Sequence, residues 1–308
     1  MKITNRAGLP QPIVNAVSHD DYSRGAADIS VTGLLKPPRA TALEITHAEE
    51  ITEDASDRIW SLVGRIGHGL VERGTSAGNH LSEMRLFGKV LDWTLSGQFD
   101  HCDLADDGTL SDWKFTTVYK ARGPFLEWEQ QLNCYLWLFA ANAMPIPTRI
   151  QVVAIFRDWS KREAARNPDY PQTQAAIIPL PVWPHHQQQS FIESRVAAHQ
   201  AAHHTLPLCT DEEMWAKPTK WAVMKRGRAT ALRLLSSKEE AETWCNNNNL
   251  VDNPLTNGEN TPIRLKKDIT LVERPGELVR CAHYCRAAPF CTQWRDSPLN
   301  PASAHNSL

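Results

Sequence analysis

Residues 97–114, with the sequence GQFDHCDLADDGTLSDWK, decide the fold. They contain the turn Asp106-Asp107-Gly108 between two runs of strand-forming residues, which is a strong β-hairpin signal. Successive side chains of a strand point to opposite faces, so Asp112 and Lys114 share one face. Asp100 lies on the paired strand, close enough to share a site with Asp112. The sequence therefore predicts a hairpin that brings two carboxylates and a lysine together.

Two carboxylates that converge with a lysine suit the hydrolysis of a phosphodiester bond. Their hard oxygen ligands favour Mg²⁺ or Mn²⁺, and such an ion lowers the pKa of a bound water. The lysine can orient that water or stabilise the charge that develops on phosphorus. A lone Asp-x-Lys on a hairpin is also typical of an exposed ion pair, so the interpretation depends on residues elsewhere in the chain.

The elements around the hairpin predict an α/β (α+β) fold, in which helices flank a central mixed β-sheet. A helix is predicted from residues 54–57 to a C-cap at Gly74, and we expect its apolar face to be buried. The members of that face are Ile59, Trp60, Val63, Ile66, Leu70 and Val71. The other predicted elements are strands at 84–87, 90–102, 110–115, 150–156 and 175–182, and helices at 125–142 and 187–204.

The sequence divides into three regions. Residues 1–53 are predicted to form a flexible leader and an N-terminal segment. Residues 54–205 contain the core domain with the hairpin. Residues 206–308 form a C-terminal extension with a basic stretch and a cysteine tail.

Further residues join the hairpin in the expected site. His68 lies on the first predicted helix, and Glu83 precedes the first strand. Gln131 and Tyr135 are one turn apart on a single helix face. Each has a structural alternative, since His68 and Tyr135 could pack in the core and Glu83 could be a solvated residue at a strand start.

The order of these motifs resembles the RecB-type exonuclease branch of the PD-(D/E)XK nuclease superfamily, which includes phage recombination exonucleases. The motifs are His68 on a helix, Glu83, Gly-x-x-Asp at 97–100, Asp-x-Lys at 112–114 and Gln-x-x-x-Tyr at 131–135. The resemblance is closest over residues 64–135, and Ser30-Val31-Thr32 and residues 157–160 also look like the phage members.

The resemblance implies a restriction-endonuclease-like core and a role for each matching residue. The implied metal ligands are His68, Asp100 and Asp112; the implied catalytic residues are Asp100, Asp112, Lys114 and Glu83; the residues implied to position DNA are Gln131 and Tyr135. The implied cofactor is Mg²⁺ or Mn²⁺.

The function that the resemblance implies is exonuclease digestion of linear double-stranded DNA, with end resection for recombination. It also implies a single-strand annealing protein as a partner, and it is compatible with an oligomer. Two alternatives stay open, namely a non-catalytic DNA-binding or scaffold protein on a decayed nuclease fold, and an enzyme that acts on RNA or another phosphodiester.

The cysteine tail is a second signal. The spacing Cys281-x3-Cys285-x5-Cys291 is typical of metal ligands, so an iron–sulfur cluster, a zinc ion and free structural thiols are three alternatives. In iron–sulfur members of the resembling branch, an N-terminal cysteine joins three C-terminal ones. Here residues 34–39 stand at that position and contain no cysteine. His47 or His283 could replace it.

Other cysteines and histidines are predicted to have no metal. Cys209 and Cys245 lack a neighbour at metal-binding spacing and are interpreted as packing residues. His199 and His203 are four residues apart in a histidine-rich segment at 185–204, and they are predicted to lie on a solvated helix face.

Composition limits how the chain could contact DNA. Its formal net charge is −2, so bulk positive charge is not the means. Local basic stretches at 157–166 and 217–233 could contact phosphates, although both could be ordinary solvated surface. No long apolar run or signal peptide is seen. We therefore expect a cytoplasmic protein without a membrane partner, in a bacterium or the bacterial host of a phage.

Overall fold

The structure, a computed structural model, describes residues 2–19, 23–74, 78–253 and 263–303. The chain divides into two compact units, Met1–Pro207 and Leu208–Leu308, which we call unit 1 and unit 2. The sequence predicts this boundary after residue 205, and it predicts a separate region, a leader and an N-terminal segment, over residues 1–53. In the structure that region belongs to unit 1, where Ile29–Ser30 pairs with a central strand of the sheet.

Unit 1 contains eight strands and seven α-helices within the described residues. The strands are β1 (Lys2–Thr4), β2 (Ile29–Ser30), β3 (Thr52–Asp54), β4 (His80–Val90), β5 (Trp93–Asp103), β6 (Thr109–Thr116), β7 (Arg149–Phe156) and β8 (Ala175–Leu180). The helices are α1 (Gln11–Ser18), α2 (Val31–Leu34), α3 (Pro38–Thr46), α4 (Ile59–Arg73), α5 (Leu126–Ala141), α6 (Lys161–Arg166) and α7 (His185–Ala202).

The main sheet has the strand order β2-β5-β6-β7-β8, and β4 pairs with β5 from His80↔Asp103 to Val90↔Trp93, with one interruption. The β6–β7 and β2–β5 pairs are parallel, and the β4–β5, β5–β6 and β7–β8 pairs are antiparallel. The sheet is therefore mixed and flanked by helices, as the sequence predicts at this level.

The predicted hairpin turn lies between β5 and β6. Asp106, Asp107 and Gly108 all have positive φ angles, of 48°, 66° and 80°. Short polar residues and glycine tolerate this left-handed backbone. The turn therefore fixes the register in which the two acidic strands face each other.

Helix α5 is the centre of the unit 1 core. Every residue from Leu132 to Phe139 is buried, because the helix is covered by β4 and β5 on one side and by α2 and α7 on others. The sequence pattern predicted a single buried stripe, and this additional cover explains the difference. Gly97 of β5 lets the helix approach, since a Cβ there would lie 2.7 Å from the side chains of Tyr135 and Leu138.

Helix α4 corrects a second prediction. The helix ends at Arg73 with Gly74 as its C-cap, as predicted. Its apolar face, however, is exposed rather than buried. Trp60, Ile66 and Leu70 are 57%, 54% and 59% exposed, while Gly67 is buried. The reason is that α4 packs against β6 through Gly67, where a Cβ would lie 2.2 Å from the Phe115 ring.

Unit 2 contains two small sheets and four helices within the described residues. Its strands are β9 (Ala216–Lys217), β10 (Lys220–Lys225), β11 (Arg233–Leu235), β12 (Ile269–Arg274) and β13 (Glu277–Leu278). Its helices are α8 (Asp211–Met214), α9 (Lys238–Asn247), α10 (Val279–His283) and α11 (Thr292–Arg295). The sheet β11-β10-β12 and α9 enclose a small core around Val223, Ala241 and Cys245. Across the described ranges, no helix has the length and apolar character needed to cross a membrane.

Candidate active site

The site opens where β5 and β6 separate. Their pairing ends at His101↔Ser111, so Asp100 and Asp112 stand opposite each other one step beyond the last pair. From there β5 continues beside β2. The backbone N–H of Trp113 donates to Oδ2 of Asp100 at 2.6 Å. The gap between the strands thus holds a carboxylate where a regular hairpin would continue its ladder.

His68 reaches the same gap from α4. Its Nδ1 lies 3.4 Å from Oδ1 of Asp100, and the close approach of α4 at Gly67 places the ring there. The pKa of His68 is raised, first by its hydrogen bond to Asp100, against the opposing effect of burial. Protonation therefore competes with any metal ion for this imidazole.

Glu83 faces Asp100 from β4. The register of β4 and β5 places the two residues opposite each other, and the regular pairing is interrupted at this position. Glu83 has φ of 50°, a left-handed conformation that is strained for a side chain of this size and is frequent at functional sites. Burial raises the pKa of its carboxyl group.

Gln98 holds the Glu83 carboxylate in place. Its Nε2 donates to Oε2 of Glu83 at 2.8 Å, and its Oε1 accepts from Nη2 of Arg85 at 2.7 Å. The sequence prediction did not include Gln98. Strand alternation could have found it, because Gln98 and Asp100 are two residues apart and share a face of β5.

Asp112 is buried and paired with the predicted catalytic lysine. Its Oδ2 lies 2.6 Å from Nζ of Lys114, without a well-aligned hydrogen bond. Burial raises the pKa of Asp112 to about 6, although the charge of Lys114 acts in the opposite direction. A buried carboxyl group with a raised pKa and a charged partner is typical of functional sites.

Helix α5 supplies Gln131 and Tyr135 to the same group. Nε2 of Gln131 donates to Oδ1 of Asp112 at 3.2 Å and to Oη of Tyr135 at 3.0 Å. Oε1 of Gln131 accepts from Nζ of Lys114 at 3.2 Å. One amide therefore connects both members of the Asp-x-Lys motif to the helix.

The best candidate for a metal centre is the group formed by His68, Glu83 and Asp100. One ligand atom from each lies within 4.8 Å of the others. An ion with bonds of about 2.1 Å holds ligand atoms up to roughly 4.2 Å apart, so these side chains fit Mg²⁺ or Mn²⁺ after a small contraction. The predicted ligand set contained Asp112 in place of Glu83. Asp112 is adjacent, but Lys114 and Gln131 hold it.

The residues enclose a cavity of about 220 Å³. Its lining is Val31, Thr32, His68, Gly97, Gln98, Asp100, Asp112, Lys114, Gln131 and Tyr135. The cavity thus brings together every predicted site residue of unit 1 except Glu83, which contacts it through Gln98.

A larger cavity of about 800 Å³ also lies in unit 1, and His199 and His203 line it. Its carboxylate, Asp28, accepts a hydrogen bond from the Thr94 backbone N–H at 2.7 Å, so its role there is structural. His199 is buried, with Nε2 3.1 Å from the Leu34 carbonyl oxygen. The prediction that this histidine lies on a solvated face is therefore wrong.

The predicted basic stretches have mixed surroundings. Lys217 pairs with Glu277 at 3.0 Å, and Lys225 with Asp268 at 3.5 Å. The guanidinium of Arg157, by contrast, stacks over the ring of Trp60 at 3.9 Å. The stretch at 157–166 thus presents a cation on an exposed aromatic surface.

Comparisons with known proteins add little to this geometry. No family model and no curated protein matches the chain. Eight chains of solved structures match. One, described as "Crystal structure of SSO0001", is 19% identical over 60% of this chain and 81% of that chain, with a TM-score of 0.39. A likeness at this level says nothing about activity.

Proposed function

We propose that unit 1 is a metal-dependent deoxyribonuclease with a PD-(D/E)XK core, which digests linear duplex DNA from its ends. One observation carries the proposal, namely that a cluster of metal ligands and the Asp112–Lys114 pair face one cavity. His68, Glu83 and Asp100 supply the ligands. Such a combination suits phosphodiester hydrolysis better than it suits a structural ion pair, because a surface ion pair needs neither burial nor neighbouring ligands.

Each residue of the site has a separate role in the proposed hydrolysis. When bound, Mg²⁺ or Mn²⁺ polarises a phosphate oxygen and lowers the pKa of a bound water. The ammonium group of Lys114 points into the same cavity and stabilises the negative charge that develops on the phosphate. Asp112 and Gln131 fix that ammonium group, and Tyr135 and Gln131 offer polar groups to the nucleic acid strand.

The Trp60–Arg157 pair supports a nucleic acid substrate. The backbone N–H of Arg157 donates to the Thr116 carbonyl at 3.0 Å, and Thr116 ends the strand that carries Lys114. An exposed aromatic ring and a guanidinium at that end can contact bases and phosphates. Digestion from ends, an annealing-protein partner and an oligomer remain predictions that rest on the resemblance.

A digestion assay tests the proposal. End-labelled linear duplex, closed circular DNA, single-stranded DNA and RNA are incubated with Mg²⁺ or Mn²⁺. Wild type should shorten linear DNA, and Lys114→Ala should be slower by at least about 10²-fold. Lys89→Ala is the matched control, because Lys89 is an exposed lysine of the same sheet, and it should retain full activity.

Two outcomes would replace the proposal. If the folded wild type binds DNA but cleaves none of the substrates with either metal, the scaffold function is correct. If RNA is cleaved faster than DNA, the substrate assignment is wrong. Circular dichroism of each variant separates loss of chemistry from loss of fold.

A further inference from the structure

Unit 2 contains five of the seven cysteines, and four of them lie on the segments around α8, α10 and α11. Cys281 lies in α10, Cys285 follows one helical turn later, and Cys291 directly precedes α11. Cys209 comes from a distant part of the sequence, two residues before α8. All four are thiols in the structure, and the sequence prediction had treated Cys209 as an isolated packing residue.

The pairing of β9 and β13 brings Cys209 to the cysteine tail. These strands are antiparallel, with Ala216 opposite Leu278. Helix α8 leads into β9 and β13 leads into α10, so the residues before α8 and the residues of α10 lie at the same end of the pair. The ring of Trp215 contacts Tyr284, at a centroid distance of 5.3 Å, and holds the two segments together.

Gln293 fixes Cys209 beside Cys291. Oε1 of Gln293 accepts from the backbone N–H of Cys209 at 2.8 Å, and its Nε2 donates to the Cys209 carbonyl at 2.9 Å. Gln293 is two residues after Cys291, in α11. One side chain thus ties the backbone of the remote cysteine to the last cysteine of the tail.

The four thiols also share one electrostatic environment. The pKa of Cys209 rises to about 12, first because of burial, then because of Glu213 and the thiols of Cys291, Cys281 and Cys285. Cys245, in the separate apolar core of unit 2, has no such thiol neighbours among the causes of its raised pKa. Cys209 therefore lies near the three cysteines of the tail.

The fold around the four thiols is built from short elements. Helices α8, α10 and α11 have four, five and four residues, too few to be stable alone. The apolar core of unit 2 is formed elsewhere, around β10 and α9. Small regions that lack a core of their own are commonly held by a metal or by disulfides.

We propose that Cys209, Cys281, Cys285 and Cys291 are the four thiolate ligands of a four-iron iron–sulfur cluster in unit 2. A zinc ion with Zn–S bonds of about 2.3 Å would bring four sulfurs to within about 4 Å of one another. In the described part of the chain, no three of these sulfur atoms lie within 4.8 Å of one another. A four-iron cluster spaces its thiolates more widely and uses four cysteines.

Metal analysis of the full chain, purified without oxygen, tests the proposal. Wild type should contain about four iron and four sulfide per chain and absorb broadly in the visible range. Cys209→Ser should lose most of this iron, and Cys245→Ser, a buried cysteine outside the site, should keep it. Full iron retention in Cys209→Ser would overturn the assignment of Cys209. One zinc per chain without iron would overturn the cluster.

Differential alkylation of the wild type makes the test independent of folding defects in a variant. Mass spectrometry should find all four thiols protected in the native protein and modified together after the metal is removed. Alkylation of Cys209 while iron remains bound would contradict the proposal. Because these readouts use no DNA, they stand or fall separately from the nuclease function.

Discussion

The two candidate metal sites are built in opposite ways. The carboxylate site of unit 1 (His68, Glu83, Asp100, Asp112 and Lys114) lies on a sheet with a large apolar core, which holds its side chains in place. The cysteine site of unit 2 (Cys209, Cys281, Cys285 and Cys291) lies among helices of four or five residues. The first arrangement suits an exchangeable catalytic ion, and the second suits a cofactor that helps to hold the fold.

The ligand atoms agree with this contrast. Carboxylates and an imidazole hold Mg²⁺ or Mn²⁺ weakly enough for exchange, whereas four thiolates hold a cluster tightly. One protein would then contain a hard site and a soft site, and each would exclude the other's metal by ligand chemistry. Each of the following changes should therefore affect one site and spare the other.

Chelation should produce the largest difference. EDTA treatment followed by gel filtration is expected to lower DNA cleavage by about 10³-fold or more, because the metal-dependent chemistry of the carboxylate site is lost entirely. Added Mn²⁺ should restore cleavage, and the iron content of the same sample should stay constant. Loss of iron at the same EDTA concentration would contradict this difference between the two sites. Cleavage that persists without added metal would also contradict it.

Gly97→Ala should have the next largest effect. A Cβ at this position would lie 2.7 Å from Tyr135 and Leu138, so α5 must move away from β5. We expect a loss of about 1–3 kcal/mol in the free energy of unfolding of unit 1, with slower cleavage, because Gln131 and Tyr135 move with the helix. Iron in unit 2 should be unchanged.

Gly69→Ala is the matched control for that change. Gly69 lies in α4 with open space around a Cβ, so alanine should stabilise the helix by about 0.5–1 kcal/mol. Urea unfolding and cleavage rates of both variants check the pair. Equal stability of the two variants would show that α5 does not need the close approach at Gly97.

Local patterns predicted much of the carboxylate site but only part of its surroundings. The turn at residues 106–108 and strand alternation placed Asp100, Asp112 and Lys114 together, because both signals act over a few residues. Periodicity identified the apolar face of α4 but did not show whether another element covers it, and Trp60, Ile66 and Leu70 of that face are exposed. A pattern of one helix contains no information about its partner.

The cysteine site was harder to predict from the sequence. The spacing of Cys281, Cys285 and Cys291 is local and visible, but Cys209 joins them only through β9 and β13, whose paired residues are about sixty positions apart. Strand alternation places Gln98 on the face of Asp100, but its contact with Glu83 crosses from β5 to β4 and is not visible in that pattern. Contacts between distant strands follow from topology, which spacing within one segment does not specify.

Asp112→Asn should give the smallest and most specific effect. The raised pKa of about 6 means that ionisation of Asp112 disfavours the folded state. This penalty is absent below the ordinary aspartate pKa, grows as the pH rises to about 6, and stays constant above it. In EDTA at pH 8 the variant should therefore be more stable than wild type, by on the order of 1 kcal/mol, and the difference should shrink near pH 4.5.

Urea unfolding at both pH values measures this difference, and Asp107→Asn, on the exposed turn, should show no such change with pH. An Asp112→Asn variant that is destabilised equally at both pH values would mean that the Lys114 pair outweighs the burial of the carboxylate. If the variant is more stable than wild type at pH 8, the ionised Asp112 lowers the free energy of unfolding of the wild-type protein. Added Mn²⁺ should then stabilise wild type more than the variant, because a cation near Asp112 favours the ionised form.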